Sequence, residues 1–144
     1  MTVVAIAEVL GVARTARQRL HSAADLATVT RAGLSVAVLD KVAGELSVPR
    51  AEVARLLGIS PRTLSRRATR DLRLSATESD RLVRLAGVVA LAKSTLGTMD
   101  RASRWLQAPN RALQGDRPLD RLDTDAGVRS VEQVLRRIEF GLYS

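Results

Sequence analysis

A cluster of arginine, serine and threonine residues lies between positions 61 and 70. Arginine donates hydrogen bonds to phosphate oxygens and guanine edges, and serine and threonine hydroxyls bind phosphates or bases. The side chains that suit such contacts are Arg62, Thr63, Ser65, Arg66, Arg67 and Arg70. They predict a DNA-binding site. The alternative is an ordinary helical hairpin whose arginines are only solvated.

The residues around this cluster predict the two helices and the tight turn of a helix-turn-helix. Ala54 provides a small side chain where two helices approach closely, and Gly58 suits the positive φ of a turn. Ile59 and Leu64 are the apolar side chains expected to hold the second helix against the first. The segment from 51 to 70 is therefore interpreted as a DNA reader.

The second helix of this motif is expected to run from about Pro61 to Arg70. Ser60 can cap its first N–H groups, and proline at the first helical position loses no hydrogen bond. Many helix-turn-helix proteins have an apolar anchor at the place of Arg67. Either Ala68 supplies that packing here, or the second helix is shifted.

The charge of the chain agrees with nucleic-acid binding. The net charge is +8, and residues 50–70 contain six arginines against the single acidic residue Glu52. Such a local excess of positive charge is typical of phosphate contact.

The chain has 144 residues, of which 46% are apolar, so it is expected to fold with a core. Its apolar runs are shorter than the roughly 20 residues of a membrane span, and we expect a cytosolic protein without membrane contact.

Catalytic chemistry is not expected. The chain has no cysteine and one histidine, which excludes disulfides, thiolate metal sites and Cys–His nucleophile pairs. Asp116, Asp120, Asp123 and Asp125 resemble a carboxylate cluster, but their turn-rich surroundings favour helix caps and Asx turns. No set of acid, base and nucleophile can be named. We therefore predict no catalytic residue, no metal and no cofactor.

The pattern of apolar residues predicts an all-α fold. Residues 1–73 are expected to form N-terminal helices and the helix-turn-helix, and residues 74–144 a second helical domain. Three helices are expected before the helix-turn-helix. The first runs from about Val4 to Arg19, and the second follows Ser22, which forms a capping box with Asp25, and ends at Gly33. The third starts near Ser35 and carries Leu39, Val42 and Leu46 on its apolar face.

The second half begins with a long helix that is apolar on almost every side. Ser75 and Glu78 predict a capping box at its start, and Gly97 its end. Such a helix has to be buried, either at the centre of the fold or in an oligomer interface. Beyond it we expect a helix of about Asp100 to Gln107 and a short helical turn at Pro118 to Leu122. The last helix is expected to follow Asp123 and Thr124 and to stop at Gly141. Its apolar stripe consists of Val128, Val131, Leu135 and Ile138.

The three aromatic residues all lie in this second half. Trp105 is interpreted as a core residue, because tryptophan is deeply buried on average. Phe140 and Tyr143 are close to the end of the chain, where exposed apolar groups indicate a docking element. For these two, packing on the chain's own core and contact with a partner are both open.

Four segments, TLSRRA, LSATESDRLVRLA, ASRWLQAPNRALQGDRPLDRLDTDAG and VLRRIEFGLY, resemble the antitoxins of RES-Xre toxin–antitoxin pairs, the Xre/MbcA/ParS-like family. The similarity covers roughly residues 33–144, and its most specific part runs from Trp105 to Gly127. Residues 1–32 match only loosely.

This resemblance implies an antitoxin that neutralises a NAD⁺-consuming RES-domain toxin by covering the entrance to its active site. It also implies that the helix-turn-helix binds operator DNA and represses the shared operon, and a homodimer and a hetero-oligomer with the toxin are expected. The toxin-binding residues that the family suggests are Arg136, Ile138, Glu139, Gly141, Leu142 and Tyr143. The competing interpretation is a stand-alone transcriptional regulator whose C-terminal domain dimerises or senses a ligand.

Overall fold

The computed structural model describes residues 3–12 and 22–141. Within these ranges the regular secondary structure is helical, apart from an isolated bridge between Ser35 and Arg73. The all-α class is confirmed. The α-helices are α1 (Val3–Leu10), α2 (Ala23–Ala32), α3 (Val36–Leu46), α4 (Arg50–Leu57), α5 (Pro61–Thr69), α6 (Ala76–Leu96), α7 (Met99–Gln107) and α8 (Asp125–Glu139), with 3₁₀ turns at Arg111–Leu113 and Pro118–Arg121.

Helix α6 lies at the centre of the fold. It packs against α1 and α2 on the side of the first half and against α7 and α8 on the side of the second. Leu82, Val88 and Val89 are completely buried along its length. One continuous apolar core extends from Val9 to Leu135 through both halves. The buried long helix is thus confirmed, and the division at residues 73 and 74 remains a prediction.

Local capping determines where several helices begin. Ser22 and Asp25 form a capping box at α2, as the sequence predicts. At α6 the Glu78 amide donates to Ser75 Oγ over 3.1 Å, and the Ser75 amide donates to Glu78 Oε1 over 2.8 Å. Each pair satisfies two N–H groups that a helix start leaves without a partner. These starts could be predicted because a capping box is encoded within four residues.

The expected first helix, from about Val4 to Arg19, is wrong in its extent. Helix α1 ends at Leu10, and Gly11 follows with a φ of +63°. A Cβ at Gly11 would lie 2.4 Å from Lys41 Cγ on α3, so glycine also permits a close approach there. Residues 13–19 of the expected helix lie outside the described ranges.

Side chains of residues 73–107 form hydrogen bonds with the backbone at several helix ends of the first half. Carbonyl groups at a helix C-terminus have no partner within the helix. The bonds that satisfy them, or join the adjoining backbone, are Arg73 Nη1 to Gly33 O (2.8 Å), Leu34 N to Ser79 Oγ (2.9 Å), Ser103 Oγ and Gln107 Nε2 to Leu46 O (2.6 and 2.8 Å), and Arg81 Nη1 to Leu57 O (2.9 Å). The ends of α3 and α4 therefore depend on side chains of the second half. The end of α2 is bonded by Arg73, the last residue of the first half, and the adjoining Leu34 amide by Ser79 of the second.

No single helix in the described ranges has the length and apolar character to cross a membrane. Helices α6 and α7 taken together have both, but they meet at a bend of 114°.

Candidate functional surfaces

Helices α4 and α5 form the predicted helix-turn-helix. Gly58 lies between them in the left-handed region, with a φ of +77°. The Ile59 amide donates to Ala54 O over 2.9 Å, which closes the turn, and Ala54 is completely buried between the helices. Leu64 is buried on the inner side of α5. The positive φ expected at Gly58 is confirmed, and Ala54, Ile59 and Leu64 are all buried in the core.

The start of α5 also agrees with the sequence. The Thr63 amide donates to Ser60 Oγ over 3.2 Å, and Pro61 occupies the first helical position. The Ser60 hydroxyl donates in turn to the Thr63 hydroxyl over 2.9 Å. Thr63 is half-buried and belongs to the cap as well as to the candidate DNA-contacting set.

The outer face of α5 carries a row of exposed arginines. Arg62, Arg66 and Arg70 follow one another at intervals of four residues, which places them on one side of the helix. Ser65 is exposed beside them. The structure thus brings four of the six predicted DNA-contacting residues together on one accessible surface, which we call the α5 basic face.

Arg67 has a different position. Its Nη1 donates to Glu78 Oε1 in a largely buried ion pair, which joins α5 to the capping box of α6. Ala68, the neighbouring residue, packs against the core. The apolar anchor that Arg67 lacks is therefore supplied by Ala68. Burial raises the pKa of the Glu78 carboxyl, but the hydrogen bonds from the Ser75 amide and Arg67 outweigh this effect and hold it below its ordinary value.

The outer face of α8 carries several of the residues that the resemblance suggested for toxin binding. Arg136 and Glu139 are exposed, and Gly141 follows the helix with a φ of +69°. Ile138 is half-buried and packs against the core, in line with Val131 and Leu135. Leu142 and Tyr143 lie outside the described residues.

The structure adds Phe140 to this face. Its side chain is 71% exposed, so the aromatic ring does not pack on the core of this chain. A shallow hollow beside it is lined by Arg129, Glu132, Gln133, Arg136, Arg137 and Phe140. We call this the α8 outer face. Trp105, in contrast, packs against the core, as predicted.

The interpretation of the aspartates as helix caps is wrong for three of them. The carboxylates of Asp116, Asp120 and Asp125 pair with arginines, at N–O distances of 3.2, 2.8 and 2.7 Å. The turn at Arg111–Leu113 and helix α8 are capped by Asn110 and Thr124. Neutral oxygens already occupy the capping positions, so the aspartates are free to neutralise nearby guanidinium groups. Among residues 3–12 and 22–141, no group of acidic or histidine side chains is arranged to hold a metal ion.

Sequence reasoning missed an ion-pair cluster between the two halves. Arg117 binds both carboxylate oxygens of Asp120, at 2.8 and 2.9 Å, and its Nη2 lies 2.8 Å from Glu52 Oε1. Arg55 reaches the same Asp120 over 3.2 Å. Hydrogen bonds from Arg117 lower the pKa of Asp120, and those to Asp120 and Glu52 raise the pKa of Arg117. Arg117 and Glu52 are 65 positions apart, and no local pattern indicates their contact.

Taken together, these features define a helix-turn-helix protein with an additional C-terminal helical domain. Residues 25–87 match the antitoxin Xre-like helix-turn-helix domain. Residues 91–141 match the antitoxin Xre/MbcA/ParS C-terminal toxin-binding domain. The two matches meet inside α6, the helix that both halves share.

Individual relatives agree with these matches. The chain is 34% identical over 113 residues to antitoxin Xre of Yersinia enterocolitica. The aligned region spans 78% of this chain and 76% of the relative. It is 32% identical over 120 residues to antitoxin Xre of Photorhabdus laumondii, at 83% and 81% coverage. The protein belongs to the Xre antitoxin family.

A solved structure supports the fold. A chain in the crystal structure of the M. tuberculosis MbcT–MbcA toxin–antitoxin complex aligns with a TM-score of 0.56 and 24% identity. The alignment covers 76% of this protein and 96% of that chain. This likeness concerns the fold, and the predicted family is confirmed by the two domain matches and the Xre relatives.

Proposed function

We propose that this antitoxin neutralises a RES-domain toxin that consumes NAD⁺, and that it does so by covering the entrance to the toxin's active site with α8 and the C-terminal tail. We also propose that its helix-turn-helix represses the operon that encodes both proteins. The observation that carries the first proposal is the exposed Phe140, which lies within the region matching a toxin-binding domain. That match also favours an antitoxin over a stand-alone regulator.

The α8 outer face has the composition of a protein-binding surface. Aromatic and arginine side chains provide a large share of the binding energy at protein interfaces. Phe140 is exposed beside Arg136 and Arg137, so the face combines an apolar anchor with positive charge. It fits an apolar pocket rimmed by carboxylates on the toxin. Glu139 and Gly141 continue the proposed surface, and Ile138 supports it from the core side. The family resemblance adds Leu142 and Tyr143 to the candidate toxin-binding residues.

Inhibition of NAD⁺ loss tests this surface directly. Purified toxin is titrated with antitoxin, and the remaining NAD⁺ is measured. We expect Phe140→Ala to weaken inhibition by about tenfold or more, since burying a phenylalanine side chain contributes about 1.5–3 kcal/mol. Leu72→Ala is the matched control, because Leu72 is an exposed apolar residue on the connection between α5 and α6.

Two results would count against the proposal. Equal inhibition by Phe140→Ala and by the unaltered antitoxin would remove Phe140 from the interface. Full protection by a chain lacking residues 141–144 would remove the tail from it. A partner that binds the antitoxin but leaves NAD⁺ intact would show that the toxin belongs to another chemical class.

For the operator, we propose that the α5 basic face contacts DNA and that a homodimer reads two half-sites. Arg62, Arg66 and Arg70 are the accessible arginines, and Ser65 and Thr63 complete the set. Arg67 stays in the candidate set, but its pairing with Glu78 favours a supporting role. Antitoxin bound to the toxin would form the expected hetero-oligomer.

A salt titration of operator binding tests the α5 basic face. The double variant Arg62→Ala and Arg66→Ala should bind less tightly. Because both protomers of the proposed homodimer carry the two substitutions, the slope of log affinity against log salt should fall by about 4, roughly one for each lost phosphate contact. The matched control removes two exposed arginines of the second half, Arg101 and Arg111. An unchanged slope in the α5 variant would exclude these two arginines as phosphate contacts.

A further inference from the structure

Four charged residues connect the helix-turn-helix to the turn before α8. They are Glu52 and Arg55 on α4, and Arg117 and Asp120 at the turn Pro118–Arg121, and we call them the clasp. Arg117 is its centre, because its guanidinium is bonded to carboxylates of both halves, Glu52 at 2.8 Å and Asp120 at 2.8 and 2.9 Å. The flat, two-pronged contact with Asp120 fixes direction as well as distance.

The turn that carries Arg117 and Asp120 lies directly against the first turn of α8. A Cβ at Gly127 would lie 1.8 Å from the Arg121 carbonyl oxygen, so only glycine allows this approach. The Gly127 amide donates to Thr124 Oγ1 over 3.0 Å, and Pro118 and Leu119 are buried beneath the turn. A displacement of α8 would therefore move the turn with it.

On its other side the clasp holds α4, the helix that leads into the recognition helix. Glu52 and Arg55 are three residues apart and lie on one face of α4. Val53 and Leu56 are buried on the inner side. The end of α4 is bonded at Leu57 O by Arg81 of α6, and only the turn Gly58–Ser60 separates α4 from α5. Movement of α4 would change the position of the α5 basic face.

The clasp is partly exposed: 51% of the Arg55 and 42% of the Asp120 side chain are accessible, against 34% of Arg117 and 23% of Glu52 at its centre. Exposed ion pairs contribute little to stability and weaken with salt. The apolar core that the two halves share would hold them together without the clasp. We therefore attribute to these charges the relative orientation of the two halves rather than their stability. They connect α4, which precedes the α5 basic face, to the turn Pro118–Arg121, which precedes the α8 outer face.

We propose that the clasp couples toxin docking on α8 to operator binding by α5. It transmits a shift of α8 through the turn Pro118–Arg121 to α4 and from there to the recognition helix. This inference rests on the proposed function, since it requires both partners. It assigns to Arg117 the transmission of toxin binding to the helix-turn-helix, and no part in binding either partner alone.

A thermodynamic cycle tests the coupling. Operator affinity is measured for the antitoxin alone and for its complex with a catalytically inactive toxin, and the ratio of the two affinities is the coupling factor. For the unaltered protein we expect the factor to differ from one by about fivefold or more. Arg117→Ala should bring it to within about twofold of one, while each partner binds the variant alone with nearly unchanged affinity.

Two further variants make the result specific. Glu52→Gln opens the clasp from the side of α4 and should reduce the coupling in the same way as Arg117→Ala. Arg111→Ala removes an exposed arginine from the neighbouring turn and should leave the coupling intact. Thermal unfolding of each variant checks that the fold is retained.

The outcomes separate this inference from the proposed function. If the protein binds toxin and operator but the coupling factor is one, the proposed function stands and the clasp inference is overturned. It is also overturned if the coupling persists in both Arg117→Ala and Glu52→Gln. If toxin or operator is not bound at all, the proposed function has failed, and the clasp inference fails with it.

Discussion

At the scale of single residues, Glu78 connects two helices through one carboxylate oxygen. Its Oε1 accepts a hydrogen bond from the Ser75 amide at the start of α6 and another from Arg67 on α5. Both donors favour the ionised carboxylate, so the pKa of Glu78 in the folded protein lies below its ordinary value of 4.5. Helix α5 is thereby attached to the central helix α6 by an ion pair.

This arrangement predicts an acid-dependent loss of stability. A lowered folded-state pKa stabilises the fold fully above the unfolded value, and the contribution is lost as the pH falls through the folded value. Glu78→Gln keeps the capping box but removes the charge. At pH 7 we expect the variant to be less stable by about 1–2 kcal/mol in urea unfolding, with the difference narrowing below pH 4.5.

Glu8→Gln provides the comparison, since it removes an exposed carboxylate from α1 and should cost less at neutral pH. A difference between the unaltered protein and Glu78→Gln that stays constant as the pH is lowered would contradict the prediction.

The same residues show how far sequence reasoning extends at this scale. The caps at Ser60 and Ser75 could be predicted, because each involves a partner three residues away. The sequence also shows the charge of Arg67, but it does not show which residue pairs with it. Its partner depends on how α6 returns against α5, and so its ion pair could not be predicted. The choice between Ala68 and a shifted helix is likewise decided only by packing.

At the scale of elements, the turn Pro118–Arg121 and helix α8 fit together through one glycine. Gly127 lies inside the first turn of α8, where an added Cβ would meet the Arg121 carbonyl at 1.8 Å. Backbone cannot yield as a flexible side chain can. The turn also carries half of the clasp, so the contact with Gly127 determines the position of the turn and of the clasp residues on it.

Gly127→Ala should therefore destabilise the protein by about 2–3 kcal/mol, the range expected for overpacking against a rigid neighbour. Gly44→Ala is the matched control, because Gly44 is in α3 with open space around it. There alanine should stabilise by about 0.5–1 kcal/mol through its better helix propensity. Chemical unfolding of both variants measures the two effects. Equal stabilities for the two variants would show that the turn moves away at no cost.

The bounds of the elements were predictable where a cap or a breaking residue is present. Pro118 indicated the short turn, and Thr124 the start of α8. The end of α1 was not predicted, because the apolar pattern continues past Gly11. The roles of the aspartates were also missed, since an aspartate in a turn suits a cap as well as an ion pair. The clasp joins residues 65 positions apart, a distance at which sequence spacing carries no information.

At the scale of the whole molecule, the two halves share one core. The sequence indicated that α6 has to be buried, because it is apolar on almost every side, but left open whether the fold or a second molecule buries it. The structure answers that α6 is covered by α1 and α2 from one half and by α7 and α8 from the other. The helix-turn-helix and the region that matches a toxin-binding domain thus depend on the same central helix.

This dependence predicts that the helix-turn-helix does not fold alone. A fragment of residues 1–73 keeps α1–α5 but loses the core side chains of α6, among them Leu82 and Val89. It also loses the donors Arg81 and Ser103, so that the carbonyls of Leu57 and Leu46 are left without these partners. Exposed apolar faces and unsatisfied helix ends both oppose folding.

We expect the fragment to show no cooperative thermal transition by circular dichroism and to bind the operator on the order of a hundredfold less tightly than the full chain. A chain of residues 1–141 is the control, since it keeps all described elements and should match the full chain in both measurements. A cooperative transition and full operator affinity in the fragment 1–73 would instead establish two autonomous domains. In that case α6 would serve only the second half, and the predicted boundary at residues 73 and 74 would be a division of folding as well as of sequence.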